Sequence, residues 1–124
     1  MQINKIELRN LEIKDYIELK TSMLQAYEEG VDDPYWKKEE IRRLLKIFPA
    51  GQIVIVVDDV VVGAALSLIV DENLALSNHK YNDIITDSKF KAHNPDGDVL
   101  YGIDVFIHPN YRGLRLGRRL YDGR

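Results

Sequence analysis

The chain has 124 residues, of which 45% are hydrophobic and 30% charged, values typical of one folded domain. It contains no cysteine, which excludes disulfides, thiolate nucleophiles and cysteine-type zinc sites. Its longest apolar runs, 53–57 and 60–66, are far shorter than the ~20 residues of a membrane helix. Met1–Arg9 has no signal-peptide core, so we expect a cytoplasmic protein that does not bind membranes.

Charge is distributed unevenly along the chain. Residues 1–111 contain 12 Lys or Arg and 19 Asp or Glu, whereas residues 112–124 contain five arginines and a single aspartate. Nucleic-acid binding usually needs a broad basic face, which this acidic body with one short basic end does not provide. The distribution suits a compact site for a small polyanion.

The first fifty residues predict a strand followed by two helices. Met1–Arg9 alternates weakly between apolar and polar residues, as a strand does, and Asp15 can cap the helix that follows. A second helix is predicted to begin at Asp33-Pro34 and to end at Pro49, because Asp suits the N-cap and Pro the first turn. The buried positions of the two helices recur every three or four residues: Tyr16, Leu19, Met23, Ala26 and Tyr27, then Ile41, Leu44, Leu45 and Phe48.

Three further strands are predicted in the second half. Gln52–Val57 and Val60–Val70 are rich in Val and Ile and flank Asp58-Asp59, which indicates a β-hairpin. Val99–Ile107 is another long apolar strand, and Gly102 within it predicts a bulge.

Residues 71–98, between the hairpin and the last strand, are too many for a plain connection. Lys80–Ile85 predicts a short helix within them, and 93–97 has turn chemistry. The segment is either a lid over an acceptor site or a docking surface for a following domain.

The element order β, α, α, β, β, loop, β, α predicts an α+β fold with a mainly antiparallel sheet, in one domain spanning 1–124. Val99–Ile107 is apolar enough to be central, with partner strands on both sides, yet no later segment could be one of them. We therefore expect the chain to be incomplete. An unpaired edge on this strand would invite association, so we expect a homodimer or aggregation.

The segment after this strand predicts an anion-binding turn. A buried strand runs into a turn that opens a helix, whose first amides have no partner within the helix and lie at its positive end. Glycines allow a ligand close to the backbone, and arginines can add charge-assisted hydrogen bonds to phosphate. The alternative is a structural turn with solvated arginines. The turn consists of Arg112, Gly113, Leu114, Arg115, Leu116, Gly117 and Arg118.

This turn resembles the acetyl-CoA signature of the GNAT N-acetyltransferases, Gln/Arg-x-x-Gly-x-Gly/Ala, which follows a strand that ends in a pair such as His-Pro. Arg112 matches its first position and Gly117 its last, whereas Arg115 replaces the middle glycine. Residues 48–52 and 93–104 are similar to a subgroup in which the acetyltransferase domain precedes a carbon–nitrogen hydrolase domain.

The resemblance implies a GNAT-like fold and acetyl-CoA as co-substrate. The backbone of Val105 and Ile107 would bind the pantetheine arm, and the amides from Arg112 through Arg118 would bind the pyrophosphate. Such domains continue with another strand, a helix and two more strands. The chain is then expected to be the N-terminal portion of the domain, truncated after the signature, with the general acid beyond Arg124.

Acetyl transfer to an amine also needs a base, because an alkylammonium has no lone pair with which to attack. The family usually places a carboxylate on the strand before the turn, and Asp104 is the acid within that strand. Asp104 is either this catalytic base or an acid that faces solvent or pairs with arginine.

Other polar and aromatic residues leave alternatives open. An acidic loop, which in the family borders the acceptor site, either attracts a cationic amine or is simply solvated. Tyr35 and Trp36 either line a pocket or pack in the core. His79, His93 and His108 lie 14 and 15 residues apart, without metal-ligand spacing, so no metal is expected. The acidic loop contains Glu28, Glu29, Asp32 and Asp33.

The resemblance predicts an enzyme that transfers an acetyl group from acetyl-CoA to a primary amine, by direct attack within a ternary complex. The acceptor would be a small molecule or a peptide. The alternative is a non-catalytic acetyl-CoA-binding or regulatory domain attached to a downstream hydrolase domain. Amine-dependent release of CoA distinguishes the enzyme from the binding domain.

Overall fold

Four antiparallel strands form the sheet in the part of the chain that the structure describes. The computed structural model describes residues 3–26, 36–77, 80–86 and 89–111. Its strands lie side by side in chain order, each antiparallel to the next, so the predicted α+β fold with a mainly antiparallel sheet is confirmed. The strands are Ile6–Asn10 (β1), Ile53–Val57 (β2), Val60–Val70 (β3) and Val99–Ile107 (β4).

Two longer and two short helices accompany the sheet in the described part of the chain. Tyr16–Ala26 (α1) begins directly after Asp15, but Asp15 is not its N-cap. The 3₁₀ turn Ile13–Asp15 precedes α1, and the Asp15 carboxylate accepts from Glu12 N–H at the start of that turn. Lys38–Ile47 (α2) ends just before Pro49. The short helices, Glu72–Leu76 (α3) and Tyr81–Ile85 (α4), lie between β3 and β4. The second of them closely matches the predicted helix Lys80–Ile85.

The predicted start of the second helix is wrong. Asp33 and Pro34 lie outside the described residues, but residues 36 and 37 are not helical and α2 begins at Lys38. The backbone N–H of Lys37 donates to Glu40 Oε1 at 2.8 Å, which is half of a capping box. Glu40 therefore defines a helix start four residues after the Asp-Pro signal.

Two aspartates form the turn between β2 and β3, and their backbone conformation and hydrogen bonds explain why they suit it. Asp58 and Asp59 have φ values of 49° and 69°, the left-handed pair that a tight two-residue hairpin turn requires. The Asp58 carboxylate accepts hydrogen bonds from the backbone N–H groups of Asn4, at 3.1 Å, and Lys5, at 2.8 Å. Asp58 thus closes the hairpin and also holds the chain that enters β1.

A β-bulge interrupts the pairing of β3 with β4, as Gly102 predicted. Leu66 lies opposite Asp104 and Ser67 opposite Gly102, so Ile103 is the extra residue. Ile103 is buried in the core on the helix side of the sheet. Because the bulge breaks the normal alternation, the neighbouring side chain of Asp104 lies on this same side, where it contacts the core aromatic Trp36.

The main core lies between the sheet and the two longer helices. Leu19 and Met23 of α1 and Ile41 and Leu44 of α2 are completely buried there. Ile84 and Phe90 are buried in the same core. The long segment before β4 is therefore packed into the domain. A smaller cluster, Ile55, Val57, Val62 and Ala65, is buried on the opposite face of the sheet.

The part of β3 that extends beyond β2 is completed by side chains and a turn. The last pair between the two strands is Ile53 with Ala65. The Gln52 amide then accepts from Ser67 N–H at 2.9 Å and donates to Ser67 O at 2.8 Å. Two residues further on, Ile69 N–H donates to His93 Nδ1, and Asn94 N–H donates to Ile69 O. These groups take the place of a neighbouring strand for the backbone of Ser67 and Ile69.

His93 and Gln52 are in turn held by the residues that end α2. The His93 ring stacks on Phe48 with centroids 4.9 Å apart. Gln52 Nε2 also donates to Phe48 O at 2.9 Å. Burial lowers the pKa of His93, which favours the neutral ring that accepts from Ile69.

A buried ion pair joins β1 to the start of α1. Arg9 Nη1 and Nη2 each donate to one Asp15 oxygen at 2.8 Å, and Glu12 N–H donates to Asp15 Oδ2 at 2.9 Å. Asp15 is only 4% exposed. Burial alone would raise the pKa of Asp15, but the hydrogen bonds from Arg9 and Glu12, with the nearby charges of Arg9 and Lys14, together lower it.

Candidate active site

The C-terminal half of β4 carries three of the predicted site residues. Asp104 follows the bulge directly, and Val105 and Ile107 come next along the strand. Asp104 is half-buried on the face that carries α1, whereas Val105 and Ile107 pack against the cluster on the opposite face. One short stretch of strand therefore presents a carboxylate to one side of the sheet and apolar side chains to the other.

The backbone of Val105 and Ile107 points away from β3. His108 N–H donates to Val62 O at 2.7 Å, and the Phe106 carbonyl oxygen lies against Gly63. The backbone N–H and C=O groups of successive residues in an antiparallel strand point to opposite edges. Those of Val105 and Ile107 therefore point to the edge away from β3. Within the described ranges no strand pairs with that edge of β4. An extended ligand with amide groups could bind there as another strand would.

Asp104 is held by a tryptophan from a distant part of the sequence. Trp36 Nε1–H donates to Asp104 Oδ2 at 2.9 Å, across a sequence separation of 68 residues. The sequence left open whether Asp104 is the base or an acid that faces solvent or pairs with arginine, and whether Trp36 lines a pocket or packs in the core. The structure joins the two residues, at the border of the core. No local sequence signal could have indicated this contact.

Trp36 is itself fixed by groups around it. Its backbone N–H donates to Met23 Sδ at 3.3 Å, and Tyr16 Oη donates to its carbonyl oxygen at 2.7 Å. The ring of Phe90 lies 6.0 Å from the indole, centroid to centroid, at a tilt of 40°. Both α1 and the segment before β4 therefore help to position the indole beside Asp104.

The strand ends in a defined turn just before the predicted cofactor site. Pro109–Tyr111 forms a 3₁₀ turn, in which Asn110 N–H donates to His108 Nδ1 at 3.1 Å and Tyr111 N–H donates to His108 O. The rings of His108 and Tyr111 meet edge to face at 5.8 Å. The predicted end of β4 at His108 is confirmed.

The predicted cofactor turn itself lies outside the described residues. This applies to all seven of its members, Arg112, Gly113, Leu114, Arg115, Leu116, Gly117 and Arg118, and their assignment stays a prediction. The acidic loop with Glu28, Glu29, Asp32 and Asp33, together with Tyr35 and His79, also lies outside the described ranges. Among the residues that are described, no group of three or more His, Asp or Glu side chains could hold a metal ion.

A groove of about 260 Å³ opens beside the turn that ends β4. Its rim is partly apolar, because Ile17 is 79% exposed and Val60 is 43% exposed. The groove lies between α1, the start of β3 and the His108 turn. Its lining consists of Ile17, Glu18, Thr21, Ser22, Val60, Val61, Val62, His108, Asn110 and Tyr111.

Comparison with known families decides which fold this strand and turn belong to. The family model described as "Acetyltransferase (GNAT) family" matches residues 7–123, almost the entire chain. The chain belongs to the GNAT family of acetyltransferases. The family predicted from the cofactor turn is confirmed.

Two curated relatives from Bacillus subtilis (strain 168) are similar to the chain. "Probable hydrolase YhcX" is 34% identical over an alignment of 123 residues that covers 97% of this chain and 23% of that protein. "Uncharacterized N-acetyltransferase YkwB" is 26% identical over an alignment of 116 residues that covers 89% of this chain and 51% of that protein. The chain thus spans about a quarter and about half of the lengths of these two relatives.

Solved structures have the same fold. The loading GNATL domain of CurA from Lyngbya majuscula has a TM-score of 0.76 and 27% identity, covering 96% of this chain and 56% of that chain. The GphF GNAT-like decarboxylase, determined in complex with isobutyryl-CoA, also has a TM-score of 0.76, with 18% identity over 94% of this chain and 55% of that chain. The predicted GNAT-like fold is confirmed.

None of the helices in the described part of this GNAT chain is long and apolar enough to cross a membrane.

Proposed function

We propose that the chain transfers an acetyl group from acetyl-CoA to a primary amine, by direct attack of the amine on the thioester. The observation that carries the proposal is the arrangement on β4, where Asp104 is followed at once by Val105 and Ile107, whose backbone faces an edge that no described strand pairs with. A carboxylate and a strand edge for an extended ligand thus lie within four residues. Family membership and a relative named as an N-acetyltransferase support the same chemistry.

In this proposal the cofactor lies along the end of β4. The amides and carbonyls of Val105 and Ile107 bind the pantetheine arm as a neighbouring strand would. The backbone from Arg112 through Arg118 binds the pyrophosphate, with charge-assisted hydrogen bonds from its arginine side chains. The structural neighbour with bound isobutyryl-CoA supports an acyl-CoA ligand for this fold.

The proposed chemistry is a balanced acyl transfer. Asp104 accepts a proton from the acceptor ammonium, directly or through water, and so produces an amine with a free lone pair. The amine nitrogen forms a bond to the carbonyl carbon, and the C–S bond to CoA breaks. The second nitrogen proton leaves, the CoA thiolate is protonated, and the products are an amide and CoA–SH.

Calorimetric titration of acetyl-CoA into the chain tests the binding part of the proposal. Arg112→Ala should weaken binding by about tenfold or more, because a charge-assisted hydrogen bond contributes about 1.5–3 kcal/mol. Arg42→Ala, which removes an equal charge from the exposed face of α2, should leave binding unchanged. Equal effects of the two substitutions, or no saturable binding by a folded chain, would contradict the assignment of the turn.

A kinetic assay of CoA release, with a thiol reagent and a set of primary amines, tests the transfer itself. The proposal expects release that saturates with amine and falls by about 100-fold in Asp104→Asn, as for loss of a general base. Release at the same rate without amine would indicate thioester hydrolysis and contradict transfer.

A second candidate is a non-catalytic acetyl-CoA-binding domain that serves a hydrolase domain in a longer polypeptide. The observation in its favour is the 34% identity to a protein named as a probable hydrolase, of which the chain covers only 23%. This candidate expects saturable acetyl-CoA binding without amine-dependent CoA release, so the two assays together distinguish it from the enzyme.

A further inference from the structure

We infer that Trp36 is a positioning residue for the base: its indole N–H orients the Asp104 carboxylate toward the acceptor amine. The inference rests on the proposed function of Asp104. It starts from the 2.9 Å hydrogen bond between Trp36 Nε1 and Asp104 Oδ2, which links two parts of the chain that are far apart in sequence.

Trp36 has the rigidity that such a role requires. Both of its backbone polar groups are bonded to side chains of α1, the N–H to Met23 Sδ and the carbonyl to Tyr16 Oη. Its indole packs against Phe90, which is itself 98% buried. Restraints from two separate elements therefore fix both the backbone and the ring, and with them the direction of the indole N–H.

The Asp104 side chain is the group that this fixed N–H donor orients. It follows the bulge at Ile103, so the regular sheet does not by itself define where its side chain points. The terminal torsion of an aspartate is broad, so a fixed hydrogen-bond donor narrows the range of orientations that the carboxylate adopts. A fixed donor on one oxygen selects the plane of the carboxylate, which makes proton acceptance by the group reproducible.

Trp36 also connects the base to two other parts of the fold. A tryptophan that contacts α1, the segment before β4 and the strand of the base makes the orientation of Asp104 depend on all three. Because Trp36 acts through the proposed base, its role concerns turnover, and we expect no part for Trp36 in cofactor affinity.

The test is the substitution Trp36→Phe, which keeps a ring against Phe90 and both backbone hydrogen bonds but removes the indole N–H. We expect kcat for amine-dependent CoA release to fall about 10-fold, with the KM for acetyl-CoA unchanged. In an Asp104→Asn background the same substitution should have almost no further effect, because the two residues act through one contact. Asn10→Ala is a control that removes side-chain hydrogen bonds at the far side of the sheet.

Each outcome decides between the claims. A wild-type rate in Trp36→Phe, or an equal loss of kcat in both backgrounds, would overturn the positioning role while leaving the proposed function intact. A fall in kcat that tracks a lowered melting temperature, and that Asn10→Ala reproduces at the same temperature shift, would indicate a structural role only. A wild-type chain that releases no CoA in the presence of amines would overturn the proposed function, and this role with it.

Discussion

The ion pair between Arg9 and Asp15 allows a prediction whose size and pH dependence both follow from the structure. Replacing Arg9 with methionine removes two hydrogen bonds of 2.8 Å from a carboxylate that is 4% exposed. The Glu12 N–H would remain as a donor to Asp15. Removing one partner of a buried pair costs about 3–5 kcal/mol. Because the Arg9 side chain is 34% exposed, we take the lower end, about 3 kcal/mol at pH 7.

The sign of the pH dependence follows from the lowered pKa of Asp15. In the wild type the pair's stabilisation is fully present above the ordinary aspartate pKa of about 3.9, and it is lost as the pH falls through the lowered pKa. In Arg9→Met, the effect of burial on Asp15 is no longer offset by Arg9 and favours the protonated carboxyl group. Lowering the pH therefore reduces the destabilisation of the variant. The difference in unfolding free energy should therefore be largest near neutral pH and shrink in acid.

Urea unfolding followed by the fluorescence of Trp36, the single tryptophan, measures this difference at several pH values. Arg42→Met, which breaks an exposed pair with Glu39, should cost less than about 1 kcal/mol at every pH. A cost for Arg9→Met that is the same at pH 7 and in acid would refute the reasoning, since it would assign the loss to strand packing and not to the buried charge.

Two further predictions concern the extended part of β3. Gln52→Leu leaves the Ser67 N–H and carbonyl buried without their partner, so unfolding free energy should fall by about 2–4 kcal/mol in urea; a loss below ~1 kcal/mol would mean that water replaces the amide. Protonation of His93 removes the acceptor for Ile69 N–H, and burial lowers the pKa of His93, so stability should decline as the pH falls below the ordinary histidine value of about 6.5. His93→Asn should remove that decline, and a decline of the same size in the variant would assign it to other groups.

Local sequence patterns predicted most of the sheet. The last strand has the predicted bounds, Val99–Ile107, and the hairpin turn falls at Asp58-Asp59. Both depend on neighbours in the sequence, namely β-branched runs and a short polar turn between them. Gly102 predicted the bulge for a similar reason, because a glycine within a strand weakens regular pairing.

Features that depend on competition or on distant contacts could not be predicted. The Asp33-Pro34 pair is a sound helix-start signal, but the cap that Glu40 makes at Lys37 defines the observed start. The side of the sheet on which Asp104 lies depends on which residue is the extra one at the bulge. A shift of one residue would move every following side chain to the opposite face of the sheet. Its bond to Trp36 spans 68 residues and leaves no local pattern.

Only part of the candidate site could therefore be predicted from the sequence. The resemblance to the GNAT family indicated Asp104 and the backbone of Val105 and Ile107, and the strand that carries them formed as expected. The turn from Arg112 through Arg118 stays a prediction from its resemblance to the acetyl-CoA signature. The partner of Asp104 had to come from the structure.

The contacts that complete the β3 edge give a structural reason for the two stretches that are similar to the hydrolase-linked subgroup, 48–52 and 93–104. Residues 48–52 contain Phe48, which stacks on His93, and Gln52, which bonds Ser67; residues 93–104 contain His93 and Asn94, which bond Ile69. A Cβ at Gly51 would come within 2.0 Å of the Phe48 ring, so even the glycine has a packing reason. A search for relatives that relies on these stretches would collect proteins with the same long third strand. Within the two stretches, Asp104 at the end of the second is the residue that belongs to the proposed active site, and its partner Trp36 lies outside both.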